Sequence, residues 1–323
     1  MLYEPGAASP RGIFVTQGRD ALLATGRVEV ETEVVAQGRG TLDYLAANRR
    51  VRDRWDRGRF DVAHVHYGLT GLATLALPSV TPLLFTFYGS DLNDPIQRTI
   101  SVATARRAVR RIFVAQRLAD LWPDSKNVVL PNGIDFERCL PQPRSAACAE
   151  LGLDPARKHV LFGGHPDNPV KGHDVFRGVL ERVRARHADV EELVLSEPGM
   201  PYARVIAKLN AADVLLFTSR QGAEGSPTVV KEALAVGLPV VSTDVGDVAE
   251  MLDGVDPGGV VAWPAEPTAS EALLDALALR VGAILDSGRR SDGREKRSRL
   301  RQEEVAARLL AIYDEVCGSS KEA

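Results

Sequence analysis

Short apolar runs rich in β-branched residues alternate along the chain with longer stretches of helical period. This alternation predicts parallel strands joined by helices that cover both faces of a sheet. Two doubly wound α/β domains account for the pattern most economically, because the predicted strands fall into two series. The first series is 28–35, 61–67, 82–88, 111–115 and 127–131, and the second is 159–164, 192–196, 213–219, 239–243 and 259–263.

A proline-rich stretch, P-N-G-I-D-F-E-R-C-L-P-Q-P-R, separates the two series and breaks any regular element. We therefore expect a linker at about 133–155, an N-terminal domain over 1–140 and a C-terminal domain over 141–300. An apolar stripe at helical spacing predicts a terminal helix over 301–317. The stripe consists of Val305, Leu309, Ile312 and Val316.

Composition narrows the class of protein. The 323 residues are 45% hydrophobic and 26% charged, which is ordinary for a soluble globular protein with enough chain for two cores. The 40 Lys and Arg against 43 Asp and Glu leave a net charge of -3, which disfavours a general nucleic-acid binder. The cysteines lack metal-ligand spacing, and no run matches a signal peptide or a membrane span. We therefore expect a cytoplasmic protein without structural zinc.

The segment 219–232, S-R-Q-G-A-E-G-S-P-T-V-V-K-E, carries the strongest candidate chemistry and follows a predicted strand. Ser226 is positioned to cap a helix whose first residue is Pro227. The free backbone N–H groups of Thr228 and Val229 would then form an anion site. Such a site lies at the carboxyl end of a parallel sheet, where this class of fold binds ligands.

Two carboxylates flank the predicted anion site. Glu224 lies in the loop just before the helix, and Glu232 lies about one turn inside it. A carboxylate beside a phosphate repels it, but carboxylates set to either side can accept hydrogen bonds from hydroxyl groups. An anion flanked by two polyols describes a nucleotide sugar. Either glutamate alone would be interpreted as a solvated surface residue.

The stretch E-G-S-P-T-V-V-K-E-A-L-A-V-G-L-P-V-V-S-T-D-V-G-D resembles the E-x7-E signature of retaining family-four glycosyltransferases. That family has the GT-B fold, two facing Rossmann-like domains with a cleft between them. The resemblance implies that Glu224 lies against the donor sugar and that Glu232 holds the ribose of a nucleoside diphosphate. It also implies transfer to an acceptor hydroxyl with retention, without a metal and without a cofactor beyond the donor substrate.

The segment 162–174, F-G-G-H-P-D-N-P-V-K-G-H-D, is similar to the family's first loop of the second domain. The resemblance implies that Gly164 approaches the diphosphate and that Lys171 neutralises it. The arginine usual in this loop is absent, and His165 or Asn168 stands in its neighbourhood. Neutralisation of the diphosphate is therefore expected to differ from the family pattern.

Both ends of the chain also match the family. P-R-G-I-F-V-T-Q, residues 10–17, is similar to the loop near the donor phosphates, with Gly12 as the close-approach residue. A-A-R-L-L-A-I-Y, residues 306–313, resembles the terminal helix that returns to the first domain. The family has a strand ahead of the Pro10 loop, but M-L-Y-E-P is a poor strand. We expect the first strand to be missing or the start of the chain to be assigned too late.

A second departure lies in T-F-Y-G-S-D-L, where relatives commonly carry histidine in place of Tyr88. In the family that residue contacts a sugar hydroxyl near the reacting centre. Tyrosine can form hydrogen bonds but cannot become cationic at neutral pH. Asp91 keeps its family position and is a candidate for positioning the sugar or the acceptor. Tyr88 as a core aromatic and Asp91 as a turn or helix cap are equally compatible with the sequence.

Two further features bear on metals and membranes. His64 and His66 alternate on a predicted strand, and we expect them to face opposite sides and not to share a metal. His66 is a candidate for the acceptor side. The segment 48–60, N-R-R-V-R-D-R-W-D-R-G-R-F, is typical of a solvated helix face. In GT-B enzymes with lipid-linked acceptors, a basic and aromatic surface of this kind can contact an anionic membrane.

The favoured interpretation is a retaining glycosyltransferase with a carbohydrate, lipid-linked or small-molecule acceptor, whose candidate catalytic residues are Glu224, Lys171, Tyr88 and Asp91. An alternative is a catalytically silent GT-B homologue that acts as a partner subunit, motivated by Tyr88 and the absent arginine. A dinucleotide-dependent oxidoreductase is disfavoured because no G-x-G-x-x-G follows a predicted strand with an acidic residue about twenty positions on.

Overall fold

The computed structural model of the chain describes residues 2–3, 13–35, 41–197, 199–264 and 270–319. Contacts divide the chain into two units. Unit 1 comprises Met1–Gly133 and Gln302–Ala323, and unit 2 comprises Ile134–Arg301. Each unit contains a parallel sheet with buried clusters on both faces, so the predicted pair of doubly wound α/β domains is confirmed.

In the described residues, the sheet of unit 1 has six parallel strands in the order β2-β1-β3-β4-β5-β6. The strands are β1 Leu2–Tyr3, β2 Glu33–Val34, β3 Ala63–His66, β4 Leu83–Phe87, β5 Arg110–Phe113 and β6 Asn127–Val129. The first strand, expected to be missing, is thus β1, which pairs with both β2 and β3. The predicted strand over 28–35 shortens to β2, because its ladder with β1 pairs only two residues of each strand.

The helices of unit 1 enclose the sheet from both sides. They are α1 Ile13–Ala24, α2 Thr41–Arg57, α3 Ser90–Asn93, α4 Pro95–Ala105, α5 Gln116–Ala119 and the terminal helix α13 Gln302–Ser319, together with a 3₁₀ helix at Gly68–Thr74. On one face, Phe85, Phe87 and Phe113 form a stack of aromatic rings with centroids 6.1 Å and 5.0 Å apart in sequence order. This packing fixes the carboxyl ends of β4 and β5, where the loop that carries Tyr88 begins.

Helix α13 completes the other face of the unit 1 sheet. Ile312 and Val316 are buried in one cluster with Leu84, Ile112 and Leu130 from the strands and the loop after β6. Nearer the N-terminus of the same helix, Ala306 and Leu310 pack on Leu22 of α1. The apolar stripe recognised in the sequence therefore faces the sheet, and residues from the end of the chain form part of the unit 1 core.

In the described residues, the sheet of unit 2 has five parallel strands in the order β11-β10-β9-β7-β8. They are β7 Lys158–Phe162, β8 Val190–Val194, β9 Val214–Phe217, β10 Val240–Thr243 and β11 Gly258–Val261. The helices are α6 Arg144–Leu151, α7 His173–Arg184, α8 Tyr202–Ala211, α9 Thr228–Ala235, α10 Val248–Leu252, α11 Glu271–Ser287 and α12 Gly293–Lys296. Two 3₁₀ helices span Pro169–Lys171 and Ser298–Leu300.

The boundary between the units lies at Gly133–Ile134 rather than near residue 140. The stretch interpreted as a linker carries apolar residues that belong to unit 2, because Phe136 and Cys139 are buried in its core. Prolines break the regular structure there, but they do not stop the apolar side chains between them from packing. The N–H group of Ile134 donates to the carbonyl of Leu300 at 3.0 Å, within the same unit.

Candidate functional site

The candidate site of unit 2 is built at the carboxyl ends of β7 and β9. The loop after β7 runs through Gly164 to Lys171, and the loop after β9 leads through Glu224 into α9. Neighbouring parallel strands place both loops at one edge of the sheet, since β7 pairs directly with β9. The two segments singled out in the sequence are therefore brought together by the fold.

Lys171 and Glu224 form an ion pair at this edge. Lys171 Nζ donates to Glu224 Oε1 at 2.7 Å, and Ser219 Oγ donates to the same oxygen at 2.7 Å. The lysine side chain is 27% exposed and that of the glutamate is 12% exposed, so both are reachable by a ligand while being shielded from bulk water. Shielding makes the interaction between the charges stronger than on an open surface.

Residue 164 must be a glycine because the side chain of Lys171 packs directly against it. A Cβ atom at residue 164 would lie 2.8 Å from Lys171 Cγ and 2.9 Å from its Cβ, so a larger residue would push the lysine stem away. His165 lies on the rim with a side chain 44% exposed, and its Nδ1 accepts the N–H group of Asp167 at 3.2 Å. Asn168 uses its side chain to accept the N–H group of Val170, which orders the turn before Lys171.

The predicted helix cap is wrong in detail. Helix α9 begins at Thr228, one residue later than expected, and Pro227 precedes it without a side-chain cap. The hydroxyl of Ser226 instead donates to Asp247 Oδ2 at 2.5 Å. The cause is a close approach of two loops: Gly246 has φ +55° and a Cβ there would lie 2.3 Å from the carbonyl oxygen of Gly225.

The hydrogen bonds between these two loops fix the backbone at the start of α9. The N–H group of Asp247 donates to Gly225 at 3.0 Å, so the loop before α9 is held by both backbone and side chain. The first N–H groups of α9, from Thr228 onward, have no acceptor within the helix and carry the positive end of its dipole. The start of α9 therefore has the backbone donors that the sequence predicts but not the serine cap, and anion binding there stays a prediction.

Glu232 lies inside α9 and is only 7% exposed. Tyr202, at the start of α8, donates its hydroxyl to Glu232 Oε1 at 2.8 Å, and Cys139 Sγ lies 3.4 Å from the same hydroxyl. Burial raises the pKa of Glu232 to about 7, against the lowering effects of the Tyr202 hydrogen bond and the charge of Lys231. Glu232 therefore titrates near neutral pH.

Sequence reasoning missed three residues that shape this site. Tyr202 holds Glu232, Asp247 holds Ser226, and Lys231 is fully buried beside both carboxylates. Burial lowers the pKa of Lys231 to about 8, although the charges of Asp247 and Glu232 raise it. Tyr202 carries no sequence signal, whereas a lysine on the buried side of an amphipathic helix, next to Glu232, is a signal that could have been used.

In unit 1, Asp91 is fully buried and organises the loop after β4. Its carboxylate accepts the N–H groups of Gly89 at 2.8 Å, Tyr88 at 3.0 Å and Gly68 at 3.1 Å. Burial raises the pKa of Asp91 to about 6, and the backbone hydrogen bonds act in the opposite direction. Asp91 thus holds the backbone that presents Tyr88, and its carboxylate does not reach the surface.

Tyr88 and the two histidines lie together on one face of the unit 1 sheet. The hydroxyl of Tyr88 is 2.5 Å from His66 Nδ1, and its ring packs against Phe14 of α1 at 4.7 Å. The expectation that His64 and His66 face opposite sides is wrong, because residues two apart on a strand share a face. Their ring centroids are 4.2 Å apart.

His64 is fully paired. Its Nε2 lies 2.7 Å from Thr86 Oγ1, and its Nδ1 lies 2.7 Å from the hydroxyl of Tyr313 on α13. Burial lowers the pKa of His64 to about 3, and it lowers the pKa of His66 well below the ordinary value of 6.5, to which the neighbouring His64 also contributes. Both imidazoles are therefore neutral in the folded protein.

Two other predicted features have simple outcomes. Gly12 lies outside the described residues.

In the basic stretch over 48–60, Arg50 and Arg54 pair with Glu33, and Arg52 pairs with Asp56. These pairs lower the positive charge that the helix α2 presents. Among the described residues, none of the helices combines the length and the apolar character of a membrane span, and no group of three His, Cys, Asp or Glu side chains is placed to hold a metal ion.

Tyr67 is the one non-glycine residue with positive φ among the described residues, at 75°. It directly follows β3, and its hydroxyl donates to Gln97 Oε1 at 2.5 Å and lies 3.1 Å from Ser90 Oγ. A tyrosine in this conformation is strained, and such strain concentrates at functional sites. Sequence reasoning did not select Tyr67, because backbone strain leaves no mark in a sequence.

Comparison with known proteins follows the same division of the chain. Residues 12–138 match the family model described as Glycosyltransferase Family 4, and residues 157–279 match the one described as Glycosyl transferases group 1. The phosphatidyl-myo-inositol mannosyltransferase of Mycobacterium tuberculosis is 28% identical over 305 residues, which cover 85% of this chain and 79% of that protein.

Solved structures agree in fold. Sucrose-phosphate synthase from Thermosynechococcus elongatus superposes with a TM-score of 0.77 and 17% identity, covering 98% of this chain and 99% of the other. HepE from Anabaena, solved in complex with UDP-glucose, superposes with a TM-score of 0.62 and 15% identity, covering 100% of this chain and 99% of the other. At these identities the structural likeness concerns the fold alone.

Proposed function

Because the chain belongs to the family-four glycosyltransferases and has the GT-B fold, we propose that it transfers a sugar from a nucleoside diphosphate donor to an acceptor hydroxyl with retention at the anomeric carbon. The observation that carries this proposal is the pairing of Lys171 with Glu224 at the edge of the unit 2 sheet where α9 begins. At this edge the ammonium group of Lys171 and the helix N–H groups suit a diphosphate, and the carboxylate of Glu224 suits the hydroxyl groups of a sugar.

Each group has a chemical task in this proposal. Lys171 and the start of α9 at Thr228 stabilise the negative charge that develops on the departing diphosphate. Glu224 accepts hydrogen bonds from hydroxyl groups of the sugar, and Glu232 accepts them from the ribose. The proposal assigns no covalent nucleophile. The leaving phosphate itself takes the proton of the acceptor hydroxyl as the new glycosidic bond forms on the same face.

The acceptor is a carbohydrate, a lipid-linked sugar or polyol, or a small molecule. The mycobacterial relative is named for transfer of mannose to phosphatidyl-myo-inositol, which supports a polyol acceptor. HepE was solved with UDP-glucose, which supports a nucleoside diphosphate donor. The donor can be identified before the acceptor, because binding of the nucleotide to its proposed site in unit 2 can be measured without any acceptor.

The test is a calorimetric and thermal-shift screen with UDP, GDP, dTDP and ADP in the absence of added metal. We expect one nucleotide to raise the melting temperature, since a ligand that binds only the folded protein stabilises it. Glu232→Ala should lose that shift, whereas Glu181→Ala, an exposed glutamate on α7, should keep it. No shift with any nucleotide in a folded protein would contradict the proposal and favour a silent partner subunit.

Nucleotide affinity should depend on pH through Glu232. The carboxylate form of Glu232 can accept hydrogen bonds from both ribose hydroxyls. Affinity for the nucleotide should therefore rise as the pH increases through the Glu232 pKa of about 7. Tyr202→Phe removes the hydroxyl that stabilises the carboxylate, and its midpoint should therefore lie at higher pH. The measurement is the dissociation constant between pH 5.5 and 8.5, with Glu232→Gln as the reference that lacks this titration. An unchanged midpoint in Tyr202→Phe would contradict the assignment.

A further inference from the structure

A cavity of about 510 Å³ lies at the amino ends of the unit 2 strands. It is lined by Asp213, which immediately precedes β9, by Val236 and Gly237 after α9, and by residues at the start of α6 and after the end of α11. The candidate donor site lies at the carboxyl ends of the strands, so the sheet separates the two. A concave space of this volume is typical of small-molecule sites in proteins.

The lining of the cavity carries an excess of positive charge. Among the described residues it contains four arginines and one carboxylate, that of Asp213. The arginines are Arg144, Arg289, Arg290 and Arg294. Asp213 balances only one of them, because its Oδ2 atom accepts from Arg144 at 2.9 Å and from the N–H group of His159 at 2.7 Å. The net charge of the whole chain is -3, so the excess is local to the cavity.

Two of the arginines have backbone partners only in the described part of the chain. Arg290 donates to the carbonyl groups of Ala212 at 2.9 Å and Val236 at 3.3 Å. Arg294 donates to three carbonyl groups, one of which is that of Ala235 at the end of α9. Because a carbonyl group is neutral, these bonds hold the side chains without balancing their charge. A guanidinium group has five N–H donors, so both side chains keep donors for a further ligand.

The other two arginines differ in how firmly they are held. Arg144 also donates to the carbonyl group of Pro155 at 2.9 Å, so its guanidinium group is fixed before any ligand arrives. Arg289 pairs with Asp256 at 2.7 Å, but the two side chains are 62% and 66% exposed. Exposed pairs of this kind are weak, so Arg289 can exchange its partner for a ligand.

The arginines, rather than the helix dipoles, decide the sign of the charge. Helix α6 begins beside the cavity at Arg144 and α11 ends just before Gly288, so their dipoles present opposite partial charges to it. Burial lowers the pKa of Arg290 to about 10, and the charge of Arg144 acts in the same direction, whereas Asp213 raises it. Arg290 therefore stays charged at neutral pH.

We propose that this cavity is an anion site of unit 2 that binds a phosphate group, either as free phosphate or as a small phosphate monoester. Guanidinium groups suit this ligand because each can donate two parallel hydrogen bonds to phosphate oxygens. The concave shape encloses a small molecule better than it fits a polymer backbone or a membrane surface. The inference does not depend on the proposed function, because it concerns the opposite edge of the sheet.

The test is a calorimetric titration of the protein with inorganic phosphate at constant ionic strength, with chloride as the replaced anion. We expect a dissociation constant of about 1 mM or lower. Arg290→Gln should weaken binding about 10-fold because it removes a charged donor, and Arg290→Lys should recover part of the loss. Arg177→Gln, which changes an exposed arginine of α7 outside the cavity lining, should bind as the natural protein does. Absence of binding, or an equal loss in Arg177→Gln, would overturn the inference.

A variant with the opposite expected effect separates the proposal from a folding defect in Arg290→Gln. Asp213→Asn removes the negative charge of the cavity lining. The bonds from Arg144 and His159 both end on Oδ2, so a single amide oxygen can keep them. Phosphate affinity should rise several-fold, because an attractive charge is no longer balanced. Structural damage would lower the affinity instead, and unchanged or weaker binding in folded Asp213→Asn would overturn the inference.

Two further measurements locate the phosphate and identify its source. Lys171→Gln removes the cation of the candidate donor site and should leave phosphate affinity unchanged, so a loss of binding in this variant would overturn the inference. Ribose 5-phosphate that binds more tightly than inorganic phosphate, with ribose alone not binding, would identify a monoester as the ligand. Equal or weaker binding of ribose 5-phosphate would identify free phosphate. These titrations need no nucleotide, so failure of the proposed function would leave their outcome unaffected.

Discussion

Glu224→Gln should bind the nucleoside diphosphate several-fold more tightly than the natural protein and yet turn over the sugar donor about 100-fold more slowly. The reason lies in the ion pair with Lys171, whose ammonium group donates to Glu224 at 2.7 Å. A neutral amide at residue 224 releases the full charge of Lys171 to the diphosphate. The same change removes the charged acceptor that the sugar hydroxyls need, so transfer suffers while product binding improves.

The control for this prediction is Ser219→Ala. Ser219 donates to the same carboxylate oxygen at 2.7 Å, but its loss changes no charge. It should therefore leave diphosphate affinity within about 2-fold of the natural protein and slow turnover only modestly. Affinities come from calorimetry and turnover from nucleotide release. A Glu224→Gln protein that binds the diphosphate more weakly would show that Glu224 supports Lys171 rather than competing for its charge.

Asp91→Asn should lower the free energy of unfolding by about 3 kcal/mol, although it replaces one atom by another of similar size. Asp91 is fully buried and its two oxygens accept from Gly68, Tyr88 and Gly89. An amide has only one acceptor oxygen, and its NH₂ group would face backbone N–H groups that also donate. At least one of these buried donors then loses its acceptor.

Asp94→Asn is the matched control for Asp91→Asn, because it changes another aspartate close by. Asp94 caps α4 by accepting the N–H group of Gln97 at 2.8 Å, and asparagine caps a helix about as well as aspartate. Its unfolding free energy should stay within about 0.5 kcal/mol of the natural protein. Urea unfolding followed by fluorescence gives both values. Equal effects of the two variants would contradict the structural role given to Asp91.

The fold was predictable because its signals are local and repeated. Each buried parallel strand is a short apolar run, and each helix has its own period, so the alternation could be read without knowing any contact. Strand β2 was overestimated because pairing, not propensity, decides how long a strand is. The placement of Glu224 just before α9 and of Glu232 inside it was predictable for a similar reason, because both residues and the start of the helix lie within a single stretch of sequence.

Partners distant in sequence could not be predicted in this way. Tyr202 meets Glu232, and Asp247 meets Ser226, only because α8 and the loop after β10 fold back onto α9. The capping rule favoured Ser226 as the helix cap, but in the structure the Ser226 hydroxyl donates to Asp247 on another loop instead. For His64 and His66 the sequence did carry the answer, since residues two apart on a strand share a face, and the expectation failed in applying that rule.

The position of α13 in the unit 1 core has a consequence for how the chain is made. Unit 2 is contiguous from Ile134 to Arg301, whereas unit 1 needs Gln302–Ser319 to cover Leu84, Ile112 and Leu130. On the ribosome, the sheet of unit 1 emerges first but waits for the whole of unit 2 to be synthesised, on the order of ten seconds or more, before its last helix arrives. Until then that apolar face is open to chaperones, and a chain that ends early leaves the first domain unfinished while the second can still form.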